Sequence, residues 1–221
     1  MPKLVWDAQD TRLYETGTSM GVLYTRQLDN KWTGEAWNGL AAVKHSPDGG
    51  EETSVYANNQ KYLGLMSREN FKGSIEAYTY PEGFEACQGL REVVEGFHAG
   101  QQTRAPFGLT YRTIIGNDSK YDEYGYKQHI IYNAKVTPTS KDYETVNDTP
   151  NALLFTWEFS TTPPEVTSAL IKPTAYFVAD STKLAAAKLA LLETKLYGGT
   201  AVGEVAELPT VAELLTLLAG A

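Results

Sequence analysis

The chain has 221 residues, with 27 acidic side chains against 19 basic ones and a formal net charge of -8. That length suits one large domain or one domain with an appendage, and the acidic balance argues against a broad surface for neutralising nucleic-acid phosphates. A single cysteine, Cys87, excludes an intrachain disulfide framework and a multi-cysteine metal site; no apolar run reaches the ~18 residues that span a bilayer.

The N-terminal text MPKLVWDAQD lacks the apolar core of a secretory signal, which points to folding in cytoplasm. Residues 1–25 read as a short strand, a polar turn bracketed by Gly17 and Gly21, and a second strand. Over 31–44 the glycines Gly34 and Gly39 disfavour a helix by about 1 kcal/mol each, so the segment with Trp32 and Trp37 reads as strand. Residues 45–60, HSPDGGEETSVYANNQ, read as a long polar loop with Pro47, Gly49 and Gly50 as turn formers. The adjoining text places Val55, Tyr56, Tyr62, Leu63, Leu65 and Met66 as apolar or aromatic positions. KGSIEAYTYPEG is a strand ending at Pro81, and 82–101 is a glycine-punctuated connection with room for a helical turn.

Three strand-like runs follow, on which the rest of the fold depends. In the first, Phe107, Leu109, Tyr111, Thr113 and Ile115 alternate with Gly108, Thr110, Arg112 and Ile114. In the second, Tyr126, Gln128, Ile130, Tyr132 and Ala134 alternate with Lys127, His129, Ile131, Asn133 and Lys135. In the third, Leu153, Phe155, Trp157 and Phe159 alternate with Leu154, Thr156, Glu158 and Ser160. A period of two gives each run one apolar and one more polar face, predicting an antiparallel sheet with a packed side and a wetter side. Pro163 and Pro164 end the sheet because proline cannot donate to a ladder, and Thr174–Val178 is one more strand. From Asp180 the Ala/Leu/Lys-rich text predicts a helix capped by Asp180 or Ser181 and stopped at Gly198 or Gly199. In the tail, Thr210 with Glu213 forms a capping-box pattern ahead of Leu214, Leu215, Leu217 and Leu218. This divides the chain into a β domain, 1–179, and a helical segment, 180–221, packed on the same domain.

No catalytic text stands out. His45, His98 and His129 are far apart in sequence and lack metal-site spacing. Ser19, Ser46 and Ser67 lie outside any nucleophile-elbow context. Cys87 reads as a semi-buried small hydrophobe. The adjacent acids Glu51/Glu52 and Asp122/Glu123 read as solvated, because neighbouring carboxylates point apart. Tyr78, Tyr80, Tyr121, Tyr124 and Tyr126 are candidates for stacking on sugar rings, weighed against sheet and subunit-interface roles. No cofactor or metal site is expected, and no enzyme activity.

Several segments, in order, resemble the major tail proteins, or tail tube proteins, of long-tailed (siphovirus-type) bacteriophages of Gram-positive bacteria. They are AWNGLAAVKHSPDGGEETSVYANNQKYL (36–63), SIEAYTYPEGFEAC (74–87), GQQTRAPFGLTYRTIIGND (100–118), YGYKQHIIYNAKVTPTSKDYETVND (124–148) and ALLFTWEFSTTP (152–163), with KPTAYFVADSTK and ETKLYGG beyond them. Pro163-Pro164 stands where the family text has one proline. The resemblance implies a mainly β, sandwich- or barrel-like tube fold with a flanking helix. It also implies a structural virion protein whose homohexameric rings stack into the tail tube that conducts DNA, polymerised on a tape-measure protein and bounded by tail terminator and distal tail proteins. DNA would pass through without specific binding, and no membrane is involved; the protein would reside in the virion tail after assembly in host cytoplasm. In such proteins a long loop and an N-terminal arm bridge to the next ring. The segment about 44–60, with His45, Ser46, Pro47, Asp48, Glu51 and Glu52, is the candidate here. Glu76 and Glu158 are candidate luminal acids, which would repel phosphate. The competing expectation is a carbohydrate- or receptor-binding β-sandwich module of a virion or cell surface.

Overall fold

The structure, a computed structural model, describes residues 3–27, 30–143, 145, 152–166, 171–201 and 203–219. Parts of the predicted segments, including Met1, Pro2, residues 146–148 and the terminal Gly220 and Ala221, lie outside the described residues. In chain order the elements are β1 (Leu13–Arg26), β2 (Trp32–Ala36), β3 (Leu40–His45), β4 (Glu52–Ala57), β5 (Gln60–Met66), β6 (Lys72–Ala77), α1 (Phe84–Gln88), β7 (Arg91–Val94), β8 (Phe97–Ala99), β9 (Phe107–Asn117), β10 (Tyr121–Val136), β11 (Phe155–Thr161), β12 (Tyr176–Asp180), α2 (Ala186–Tyr197) and α3 (Val211–Ala219). The fold is mainly β, built on a large antiparallel sheet of order β2-β1-β9-β10-β11-β6-β3, with β12 also paired to β10; β4-β5 and β7-β8 are separate two-stranded ladders.

The sheet turns back on itself at β10. Its first part pairs with β9 and β12, and its last residues, Ala134 to Val136, pair with β11. The corner is a register shift between Ile131 and Ala134 around Asn133, which adopts φ +48°. Asparagine tolerates that left-handed conformation better than most residues, and a bulge bends and twists its strand. The bulge also moves Ala134 out of the face that simple alternation assigns it, from beside Tyr132 into the core beside Ile131.

The two limbs enclose one core. Leu23 from β1, Phe107, Leu109 and Tyr111 from β9, and Ile131 from β10 meet Ile75 from β6 and Trp157 and Phe159 from β11. The helix α1 closes this core with Phe84 and Cys87, both fully buried. Trp157 sits at its centre, edge-on to Phe84 with ring centroids 5.2 Å apart. Burying an aromatic of this size contributes several kcal/mol, of order 4 at about 25 cal/mol per Å².

The expectation of one wet face fails for the limb β1-β9-β10. Its second face is covered by α2, α3 and the segment between them, through Val22, Tyr24, Ile130, Tyr132, Leu192, Leu196, Leu208 and Leu214. Two buried tyrosines fasten the helices: Tyr24 Oη donates to the Leu196 carbonyl (2.7 Å), and Tyr132 Oη to the Pro209 carbonyl (2.9 Å). Gly108 leaves room for this layer, since a Cβ there would lie 2.4 Å from Leu208 Cδ2. Arg112, on the same face, pairs with Glu193 of α2 at 2.5 Å and lies 4.1 Å over the Tyr126 ring.

Other local readings shift for identifiable reasons. The predicted turn at 17–21 is instead two irregularities inside one long strand, with Gly17 and Met20 at φ +70° and +51°. Residues 31–44 form two strands, joined by a tight turn at Gly39 (φ +73°). The connection 82–101 holds α1 and a hairpin, β7-β8. Asp180 does not cap α2. Its Oδ1 accepts from Thr182 N and Oγ1 (2.9 and 2.6 Å), and the helix begins at Ala186 after an uncapped Ala185. At α3 the capping box is formed: Glu213 N donates to Thr210 Oγ1 (3.3 Å) and Thr210 N to Glu213 Oε2 (2.8 Å).

Candidate assembly surfaces

The segment read as a long polar loop is mostly a β-ribbon. Beyond His45, the β3-β6 ladder continues: Ser46 N donates to the Lys72 carbonyl (2.9 Å), and Asp48 and Asn70 exchange backbone hydrogen bonds of 2.9 and 2.6 Å. After Gly49 and Gly50, Glu51 pairs with Ser67 through Ser67 N to the Glu51 carbonyl (3.0 Å), and β4-β5 follow. The tip is Asn58-Asn59, at φ +49° and +61°, a pattern that matches a type I′ hairpin turn. At about 3.3 Å per residue, the arm from 46 to 58 extends roughly 40 Å.

This ribbon carries an apolar face that no other described residue covers fully. Val55 lies opposite Leu63 and Thr53 opposite Leu65, so the four share one side. Leu63 and Leu65 are 38% and 56% exposed, and Met66 and Tyr62 are 70% and 71% exposed. A two-stranded hairpin is marginal on its own in water. The candidate residues Asp48, Glu51 and Glu52 are ladder residues at the base of this arm. The Lys72 ammonium binds the Asp48 carboxylate and holds it below the ordinary carboxylate range, and Lys61 pairs with Glu52. Pro47 is exposed between Ser46 and Asp48.

His45 is not a loop residue. It ends β3, exposed on one side, with Nε2 2.5 Å from Tyr111 Oη and its ring 6.1 Å from that of His129. The fold thus joins two histidines that lie far apart in sequence. His129 stacks on Tyr111 at 4.6 Å and bonds Thr113 Oγ1 through Nε2 (2.9 Å) and Tyr176 Oη through Nδ1 (2.7 Å). Burial lowers the proton affinity of both imidazoles; for His129, burial and then the nearby His45 bring the pKa to about 4. Among the described residues no three metal-ligating side chains converge. His98, in β8, pairs with Glu85 at 2.8 Å.

Glu76 and Glu158 stand on the same uncovered face of the β11-β6-β3 limb, because their neighbours Ile75 and Trp157 point into the core. Thr156, Ser74, Ser160 and Lys72 share their register positions, so the β11-β6 part of this face is polar, with Ala42 of β3 opposite Glu76. Glu76 is bound by the Lys44 ammonium, whereas Glu158 has no cationic partner among the described residues. β3 is one end of the sheet path, with its start packed against β1 at Gly21.

The tyrosines do not form one platform. Tyr80 packs against Phe84, Phe155 and Trp157, and Tyr126 lies under Arg112, while Tyr78 and Tyr121 are 54% and 70% exposed. Burial raises the Cys87 thiol to about 12, far from a reactive thiolate. The hairpin β7-β8 exposes Val93, Val94 and Phe97 by 60%, 62% and 64%. Sequence reading missed it; the alternation in REVVEGFHAG around Gly96 was the available signal. No family model and no curated protein matches the chain.

Proposed function

We propose that this chain is a structural subunit that polymerises with copies of itself into a tube, as the resemblance to phage tail tube proteins implies. The observation that carries the reading is the ribbon 46–70: a long, ordered arm with an incompletely covered apolar face, rooted beside β3 at one end of the sheet path. An exposed edge with an apolar extension is an aggregation hazard unless another chain completes it, and a repeating head-to-tail contact that closes gives a ring. In this reading the β11-β6-β3 face lines the lumen and the helical layer lies outside. Glu158 supplies unneutralised negative charge toward passing DNA, and Glu76 contributes less because Lys44 offsets it. The ribbon reaches the next ring, and tape-measure, terminator and distal tail proteins are the expected further partners.

Negative-stain microscopy with sedimentation of the purified chain tests this. Rings or tubes that disappear on Leu63→Asp, with the fold retained by circular dichroism, are expected. A wild-type protein that stays monomeric at high concentration and binds glycans would overturn the reading in favour of a lectin-like module.

A further inference from the structure

A second feature, independent of the assembly reading, lies where α1 meets the end of β10. A cavity of about 90 Å³ is lined by Gln88, Arg104, Thr137, Thr139, Lys141 and Trp157, among others. Its polar groups are mostly donors. The Lys141 ammonium gives one proton to Gln88 Oε1 (2.6 Å), an oxygen that also accepts from Trp157 Nε1 (3.0 Å). These two donors fix the orientation of the amide. That leaves Gln88 Nε2 buried near the Tyr80 hydroxyl with no well-formed hydrogen bond among the described residues, on a residue that is only 9% exposed. Arg104 Nη1 donates to the Val136 carbonyl (3.1 Å), and among the described residues no other hydrogen bond to its guanidinium is seen. Thr137 and Thr139 give their hydroxyl protons to the carbonyls of Glu158 and Thr156.

The charge here is unbalanced. Two cations share the cavity wall, and among the described residues neither is in a salt bridge with a carboxylate. Burial, and then the neighbouring Arg104, lower the proton affinity of Lys141. The ammonium is nevertheless held in place by the rings of Tyr80, Phe155 and Trp157, whose centroids lie 5.6–5.8 Å away. Two half-buried cations with no carboxylate partner among the described residues are costly, and an anion bridging them removes that cost. The volume matches about three waters, or one small oxyanion.

We infer that this cavity is a binding site for a small oxyanion, phosphate or carboxylate, clamped between the Arg104 guanidinium and the Lys141 ammonium. Arg104 supplies a planar fork for two oxygens, and Lys141 supplies a point charge held by the aromatic rings.

The test is a thermal-unfolding titration of the full chain with sodium phosphate and, separately, sodium acetate, against chloride at matched ionic strength. A saturable rise in the unfolding midpoint is expected, with phosphate alone for a tetrahedral site and with acetate also for a carboxylate site. Arg104→Met and Lys141→Met should each weaken the apparent affinity about tenfold or more, while Lys61→Gln on the ribbon leaves it unchanged. No saturable rise with either anion, or a rise that either methionine variant retains in full, overturns the inference. Should those variants fail to fold, the indole N–H resonance of Trp157 in the wild-type protein is followed by NMR. It should move saturably with the anion while that of exposed Trp6 stays, and an unmoved Trp157 signal overturns the inference.

Discussion

Acidification should weaken the fold through His129 before the carboxylates titrate. Thr113 Oγ1 donates its proton to Glu15 Oε1 (2.6 Å), so it accepts from His129 Nε2–H; Nδ1 then accepts from the Tyr176 hydroxyl. The neutral imidazole therefore has both nitrogens satisfied, and a second proton must displace Tyr176 as donor. The charges facing the ring are mixed: Lys127 and a protonated His45 oppose the added proton, and Glu15, 3.7 Å from Nε2, favours it. With the folded value at about 4 and an ordinary value of 6.5, the unfolded chain binds the proton first. Stability is thus complete above pH 6.5 and is lost as pH falls toward 4. The gap sets a ceiling of about 3 kcal/mol, and solvent reaching the Glu15 side reduces the working figure to about 2 kcal/mol. Urea denaturation followed by tryptophan fluorescence between pH 7.5 and 4.5 reads this directly. His129→Gln should flatten the profile across that window, and His45→Gln should reduce its slope. A wild-type stability that changes by less than about 0.5 kcal/mol between pH 7 and 5, or an equal slope in His129→Gln, refutes the reasoning.

Leu63→Asp should lower self-association by about tenfold or more without changing the unfolding midpoint of the monomer, checked by sedimentation and calorimetry. Leu214→Ala, which empties a fully buried position on the inner side of α3, should cost about 3 kcal/mol in chemical denaturation. Thr210→Ala should cost about 1 kcal/mol by opening the capping box of α3. The Cys87 thiol should stay unreactive toward a disulfide reagent at pH 8 until the protein unfolds, and fast labelling of the native chain would contradict its burial.

The strands from Phe107 to Ser160 were legible because their alternation is local and strong. What covered their second face was not, since Tyr24, Ile130 and Leu208 meet only through the topology. Asn133 shows the limit of counting by twos: one bulged residue reverses the facing of everything after it in β10. Glu76 and Glu158 share one face of the β11-β6 pair, and the Lys44 partner of Glu76 comes from across a strand pair that spacing does not reveal. Residues 45–60 read as loop because Pro47, Gly49 and Gly50 at the base of the arm outweigh the weaker alternation of TSVYA. His45 and His129 look unrelated because 83 intervening residues separate them, and only the fold, which brings the end of β3 against Tyr111 of β9 and His129 of β10, joins them.

The pairing of β1 with β9 has a consequence for synthesis. Leu13 finds its partner in Asn117 and Thr25 finds Phe107, so the first long strand has no neighbour on that side until the ninth has left the ribosome. At about 5–20 residues per second that delay is of the order of 5–20 s. The β4-β5 arm, whose partners are close in the chain, closes in microseconds once it is free. The nascent chain thus displays its sticky arm well before the body that carries it exists.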